Sequence, residues 1–140
     1  MQVSTYLSFN GQCEEAFRFY ERSLGAKLNF MMTYAQSPMA AQTPANWQGK
    51  IMHATLSIDG QTIMGSDPTP DHYKQSSGFA IALNIKDPSE AERIFKNLSE
   101  SGNVQMPIQE TFWARRFGMV TDRFGTPWMV NCEKPMDQQG

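Results

Sequence analysis

The chain has 140 residues, 40% of them hydrophobic, and carries 12 Lys and Arg against 14 Asp and Glu for a formal net charge of −2. That length suits one domain with a packed core. The near-neutral charge, with no basic run, argues against nucleic acid or an anionic membrane as partner, and no apolar stretch approaches the roughly 20 residues of a membrane helix.

The first strand is expected over Ser4–Phe9, with Leu7 and Phe9 on one face and Ser4, Tyr6 and Ser8 on the other. Asn10-Gly11 breaks it. A helix is expected from Cys13 to Leu24, where Ala16, Phe17, Tyr20 and Leu24 recur at helical spacing and Gly25 supplies the C-terminal cap. A strand follows over Lys27–Tyr34. Residues 35–50 contain Pro38, Pro44 and Gly49 without any period, and read as a mobile loop. Such a long loop is either a lid or a merely frayed connection, and Trp47 is the residue in it that can close over a ligand.

The strand 51–59 alternates, directing Met52, Ala54, Leu56 and Ile58 to the core and His53, Thr55 and Ser57 away from it. Asp59-Gly60 is a hairpin turn with Thr62–Gly65 returning. Residues 66–78 form a Pro-rich linker, within which Ser66-Asp67 either caps a helix or lines a groove. In the second half, Ile81, Leu83 and Ile85 face the core, and Ala80, Ala82 and Asn84 face the other way. Asp87-Pro88-Ser89-Glu90 starts a helix that runs to Ser99, with Gly102 beyond it. Strands near 104–109, 117–121 and 127–132 follow, the last two joined by the turn Asp122-Arg123-Phe124-Gly125.

The same order, β-α-β-β-β, thus occurs twice. Module one covers about 4–65, the linker 66–78 and module two about 79–133, within one domain over 1–140. Each module is too small to bury its own core, so the two are expected to stack. A ligand site then belongs in the groove that the two half-sheets enclose.

Phe9-x-Gly11-x-x-Glu14-Glu15-Ala16-x-x-Phe19-Tyr20, Gly25, Glu110-Thr111-Phe112-Trp113 and Gly118-x-Val120-x-Asp122-x-Phe124-Gly125-x-x-Trp128 resemble the PhnB-like proteins. These belong to the glyoxalase, bleomycin-resistance and extradiol-dioxygenase group, the vicinal oxygen chelate superfamily. The resemblance spans about 4–133. It implies an α+β fold: two tandem β-α-β-β-β modules forming a curved mixed sheet around a groove, with helices on the outer face. It also implies a homodimer. Some PhnB-like proteins carry the label demethylubiquinone methyltransferase, but no Gly-rich loop for S-adenosylmethionine follows the first strand here.

The superfamily's enzymes hold a divalent metal with His and Glu from the first and last strands of each module. In module one these positions fall on Ser4 or Thr5 and on His53; in module two they fall on Ala80 and Met129. Only His53 is a competent ligand, and a catalytic centre needs about three. The superfamily's metal chemistry is therefore expected to be absent; a divalent metal held in a relocated set, such as His53 with Glu110, is the alternative.

The ligand groove is expected to comprise Tyr6, Ser8, His53, Thr55, Ala80, Ala82, Trp113 and Met129. His53 is either a general base or hydrogen-bond donor, or a histidine satisfied by neighbouring hydroxyls. Glu110, beside Phe112 and Trp113, is either an acid of raised pKa or the ion-pair partner of Arg115 or Arg116. Trp113 is the better ligand contact and Trp128 a core residue. His72 reads as a surface histidine. The ten methionines read as core filling, the alternative being an adaptable binding surface. Cys13 and Cys132 read as reduced thiols rather than a disulfide or a nucleophile. The expected protein is cytoplasmic, without a signal peptide, and binds a small organic molecule. A metal-dependent lyase, isomerase or dioxygenase and a ligand-free dimerisation module are the other two classes.

Overall fold

The computed structural model describes residues 1–135 and 137. In chain order the elements are β1 (Thr5–Ser8), α1 (Cys13–Leu24), β2 (Lys27–Thr33), β3 (Ile51–Ile58), β4 (Gln61–Ser66), β5 (Ile81–Asn84), α2 (Pro88–Leu98), β6 (Asn103–Gln109), β7 (Ala114–Thr121) and β8 (Pro127–Glu133). The fold is α+β, with each half reading β-α-β-β-β. The mixed sheet comes as two four-stranded halves, ordered β1-β4-β3-β2 and β5-β8-β7-β6. The chain divides into two compact units between Gln75 and Ser76. That division falls within the expected linker, although β4 extends one residue into it, through Ser66.

In the first unit, β1 pairs parallel with β4, and β4-β3-β2 are antiparallel. α1 forms over the expected residues because its apolar positions repeat at helical spacing, and Gly25 ends it in the left-handed region at φ 68°. Ala16, Phe17, Phe19 and Tyr20 are buried, as are Leu7, Ala54 and Leu56 of the sheet. Burying each large apolar side chain contributes about 1.5–3 kcal/mol. Phe17 sits directly on Gly65, where an added Cβ would lie 2.8 Å from its ring. The alternation of β3 holds for Ala54 and Leu56 but not at its start: Met52 is only half-buried and Ile51 is buried. Met32 pairs with His53 while Thr33 pairs with Ile51, so a bulge turns the strand there.

Residues 35–50 differ from the expected mobile loop. They contain two 3-10 turns, Ala40–Gln42 and Ala45–Trp47. Gln48 Nε2 donates to the carbonyls of Ala40 (2.7 Å) and Thr43 (2.8 Å), fastening the segment to itself. Trp47 is 8% exposed and its indole N–H donates to the Asp67 carbonyl at 3.1 Å. It is a plug within the unit, not a residue poised over a ligand.

In the second unit β5 pairs parallel with β8, and β8-β7-β6 are antiparallel. Asp87 caps α2 by accepting from the Ser89 N–H at 3.1 Å, with Pro88 in the first turn. Ala91, Ile94, Phe95 and Leu98 of α2 are buried, as are Val120, Trp128 and Val130 of the sheet. Here the close approach is Phe95 on Gly118, with 2.6 Å left for a Cβ. β7 starts at Ala114, three residues before the expected position, because Ala114 already pairs with Glu133.

Candidate functional site

Within each unit the helix packs on one face of its own sheet and leaves the other face free of it. On the free face of the first sheet, cross-strand register fixes the neighbours. Tyr6 lies opposite Met64, Met64 opposite Thr55, and Thr55 opposite Phe30. Met32 lies opposite His53, and Ser8 opposite Ser66. The His53 ring is 6.0 Å from that of Tyr6, stacked at 27°, and 6.1 Å from that of Phe30, tilted at 45°. Tyr6 is 50% exposed and Phe30 44% exposed, so their rings place apolar area at the surface beside half-buried His53. The structure therefore joins Tyr6, His53 and Thr55 into one cluster and adds Phe30, Met32 and Met64. Phe30 escaped the sequence reading because Asn29 is bulged out of β2, which changes which residues share a face.

Beneath the edge of this face lies Asp67. Its carboxylate accepts from the N–H groups of Gly11 (2.9 Å), Cys13 (3.0 Å) and Ile51 (2.9 Å). Asp67 thus caps α1 from 54 residues away. Burial pushes its pKa up, against the lowering effect of the three N–H groups and Lys50. The Tyr34 hydroxyl donates to the Asp67 carbonyl at 2.8 Å, and its pKa is raised by burial, by Asp67 and by Tyr6. A recess of about 300 Å³ opens here, lined by Gly11, Glu14, Glu15, Gly49, Lys50, Ile51 and Asp67. Lys50 Nζ donates to the Gly11 carbonyl at 3.1 Å. With Asp67 and Lys50 already engaged, the recess reads as architecture. Cys13 lies under the same cap. Burial first, then Asp67 and Glu14, raises its thiol pKa, which disfavours the thiolate.

In the second unit Ala82 pairs with Met129, Met129 with Met119, and Met119 with Met106. The next row holds Asn84, Asn131, Phe117 and Gln109. Asn131 Nδ2 donates to Asn84 Oδ1 at 3.2 Å, while Asn131 Oδ1 is buried without a hydrogen-bond partner. Trp113 packs edge-on against Phe112 (4.7 Å) and Phe117 (5.3 Å). Ala80 is half-buried just before β5. Trp128 is buried and donates to Asp122, a core residue as expected.

Glu110 corrects one expectation. Lys134 lies 3.0 Å from it and holds its carboxyl below the usual range, so the raised-pKa acid is not realised. Its ion-pair partner is neither Arg115 nor Arg116; Arg116 pairs instead with Glu92 of α2. His53 and Glu110 belong to different units. His72 is exposed, 3.0 Å from the Thr69 hydroxyl, and Cys132 is buried beside the Lys86 carbonyl.

Family-implied metal positions combine His53 with Ser4 or Thr5, Ala80 and Met129. Among the described residues, no group of three or more His, Cys, Asp or Glu stands ready to hold a metal ion. That donor chemistry does not fit a hard or borderline divalent ion.

The family described as 3-demethylubiquinone-9 3-methyltransferase matches residues 1–131. The chain belongs to this PhnB-like family. It is 41% identical to protein YjdN of Escherichia coli K12, covering 99% of this chain and 100% of that protein. It is 48% identical to the crystal structure of PA1353 from Pseudomonas aeruginosa, with a TM-score of 0.88, covering 96% of this chain and 99% of that one. A Bacillus cereus PhnB protein shares the fold at TM-score 0.80 and 22% identity, over 94% of this chain and 99% of that one. Among the described residues no helix is long and apolar enough to cross a membrane.

Proposed function

We propose that this PhnB-like chain binds a small, ring-bearing organic molecule on the free face of its first sheet, without the superfamily's divalent metal. The observation that carries the reading is the pair of exposed rings, Tyr6 and Phe30, meeting around half-buried His53. Such a surface offers apolar area with one polar anchor, the composition of a ligand site. Ser8, Thr55 and Ser66 supply hydroxyls on the same face. The thioethers of Met32 and Met64 add adaptable apolar contact. The family description names methyl transfer, but β1 runs into Asn10-Gly11 rather than a Gly-rich loop, which does not favour S-adenosylmethionine.

The same reading takes the protein as a cytosolic homodimer. Two buried free thiols accord with a reducing compartment, and open sheet edges invite a symmetric partner.

The test is titration with 8-anilinonaphthalene-1-sulfonate, an aromatic anion, alongside elemental analysis of untagged protein. Saturable binding that weakens about tenfold, or about 1.4 kcal/mol, in Tyr6→Ala and His53→Ala supports the reading. Binding unchanged in both variants, or a stoichiometric transition metal lost with His53→Ala, overturns it.

A further inference from the structure

We infer that the free face of the second sheet carries a soft-metal site, formed by the thioethers of Met106, Met119 and Met129 and suited to a monovalent cation such as Cu(I). The argument begins with register. Met106 lies opposite Met119, and Met119 opposite Met129, on the three neighbouring strands β6, β7 and β8. Cross-strand partners share a face with Cβ atoms about 4.5–5.5 Å apart. Three such side chains, each with three rotatable bonds, can bring their sulfurs to one point.

These methionines are not needed for the core. The core face of this sheet is supplied by Val120, Trp128 and Val130, the sequence neighbours of Met119 and Met129, all of which are buried. Met106, Met119 and Met129 are half-buried instead, shielded enough to lose water and open enough to be reached. Ala82 follows Met129 in the row and is too short to cover it.

The chemistry of the surroundings selects the ion. The two rows of this face contain Ala82, Asn84, Met106, Gln109, Phe117, Met119, Met129 and Asn131, with no carboxylate, imidazole or thiolate. Neutral thioethers do not compensate the dehydration of a hard divalent ion, whereas they match soft monovalent copper. Phe117, two residues from Met119, shares that face and is buried against Trp113, which keeps water from that side of the row. One step along β8 from Met129, the buried and unpartnered Asn131 Oδ1 is an acceptor that a nearby positive charge would satisfy. The first sheet provides a contrast: Met32 and Met64 alternate there with His53 and Thr55, so no row of three thioethers forms.

The experiment is a titration of protein labelled with 13C at the methionine methyls, using Ag(I) as the air-stable probe. It is paired with competition for Cu(I) against bathocuproine disulfonate. Saturable shifts confined to the methyls of Met106, Met119 and Met129, no response to Zn(II), and loss of Cu(I) retention in the Met106→Leu/Met119→Leu/Met129→Leu variant support the site. Circular dichroism and unchanged Met32 and Met64 resonances show that the variant is folded; if it does not fold, Met119→Leu alone must weaken Cu(I) retention. Shifts spread over exposed Met1 and Met39, capture by Cys13 or Cys132 that spares the three methyls, Zn(II) binding at those methyls, or the absence of saturable binding each overturn it.

Discussion

Each unit buries one aspartate, and the two do different work. Asp122 accepts from the Phe124 and Thr126 N–H groups and the Trp128 indole, all within six residues. It folds a local turn and orients one core ring. Asp67 accepts from Gly11, Cys13 and Ile51, which are 56, 54 and 16 residues away. It ties the start of α1, the start of β3 and the end of β4 to one carboxylate. One buried acid serves a turn and the other serves a tertiary junction, so their removal should be felt on different scales.

The largest expected effect is therefore at Asp67. Asp67→Ala leaves three N–H groups without an acceptor, at about 1–3 kcal/mol each when buried. Urea unfolding should show a loss of roughly 3 kcal/mol or more; Asp122→Ala also frees three donors, but all belong to one local turn that can open to water, so its loss should be smaller. Equal losses would dissolve the contrast between junction and turn. Next come the two close approaches of ring to glycine. Gly118→Ala and Gly65→Ala each force a phenylalanine off its seat, for about 1–3 kcal/mol by the same measurement. Gly118 should cost more, because both its ring and its backbone contacts are shorter: Phe95 at 2.6 Å and the Ile108 Cα at 3.0 Å, against Phe17 at 2.8 Å and the Leu7 carbonyl oxygen at 3.2 Å for Gly65.

The smallest effects are electrostatic, and the two units should differ in sign. Asp67 is raised by burial, so its contribution to stability is full below the unfolded carboxylate pKa and is lost as pH rises through the folded value. The stability gap between wild type and Asp67→Asn should widen as pH falls from neutral. Glu110 is lowered, first by its hydrogen bond to Lys134 and then by the charge of Lys134, so its contribution is present above the unfolded pKa and fades as pH falls through the folded one. Lys134→Ala should move the Glu110 carboxyl titration upward, as read by carbon NMR; an unmoved titration would remove Lys134 as its cause.

What was legible in the sequence follows from the range of the interactions. α1 was readable to its ends because its apolar spacing and Gly25 are local. The repeated β-α-β-β-β order and the cluster of Tyr6, His53 and Thr55 came from alternation, which is also local. The seat of Trp47 is not legible locally, because its indole is held by a residue 20 positions away. Phe30 was missed because a bulge shifts the alternation by one. Glu110 was given the wrong partner because Lys134 becomes its neighbour only once β7 and β8 pair.

The Asp67 junction also bears on synthesis. A helix of 12 residues is marginal by itself. α1 is made early, yet the carboxylate that completes its first turn is encoded 54 residues later. On the ribosome, the nascent segment up to Leu24 emerges with its leading N–H groups met by water alone, and the Asp67 cap can form only once residue 67 has cleared the exit tunnel. The order of translation and the order of stabilisation therefore run in opposite directions across this half of the chain.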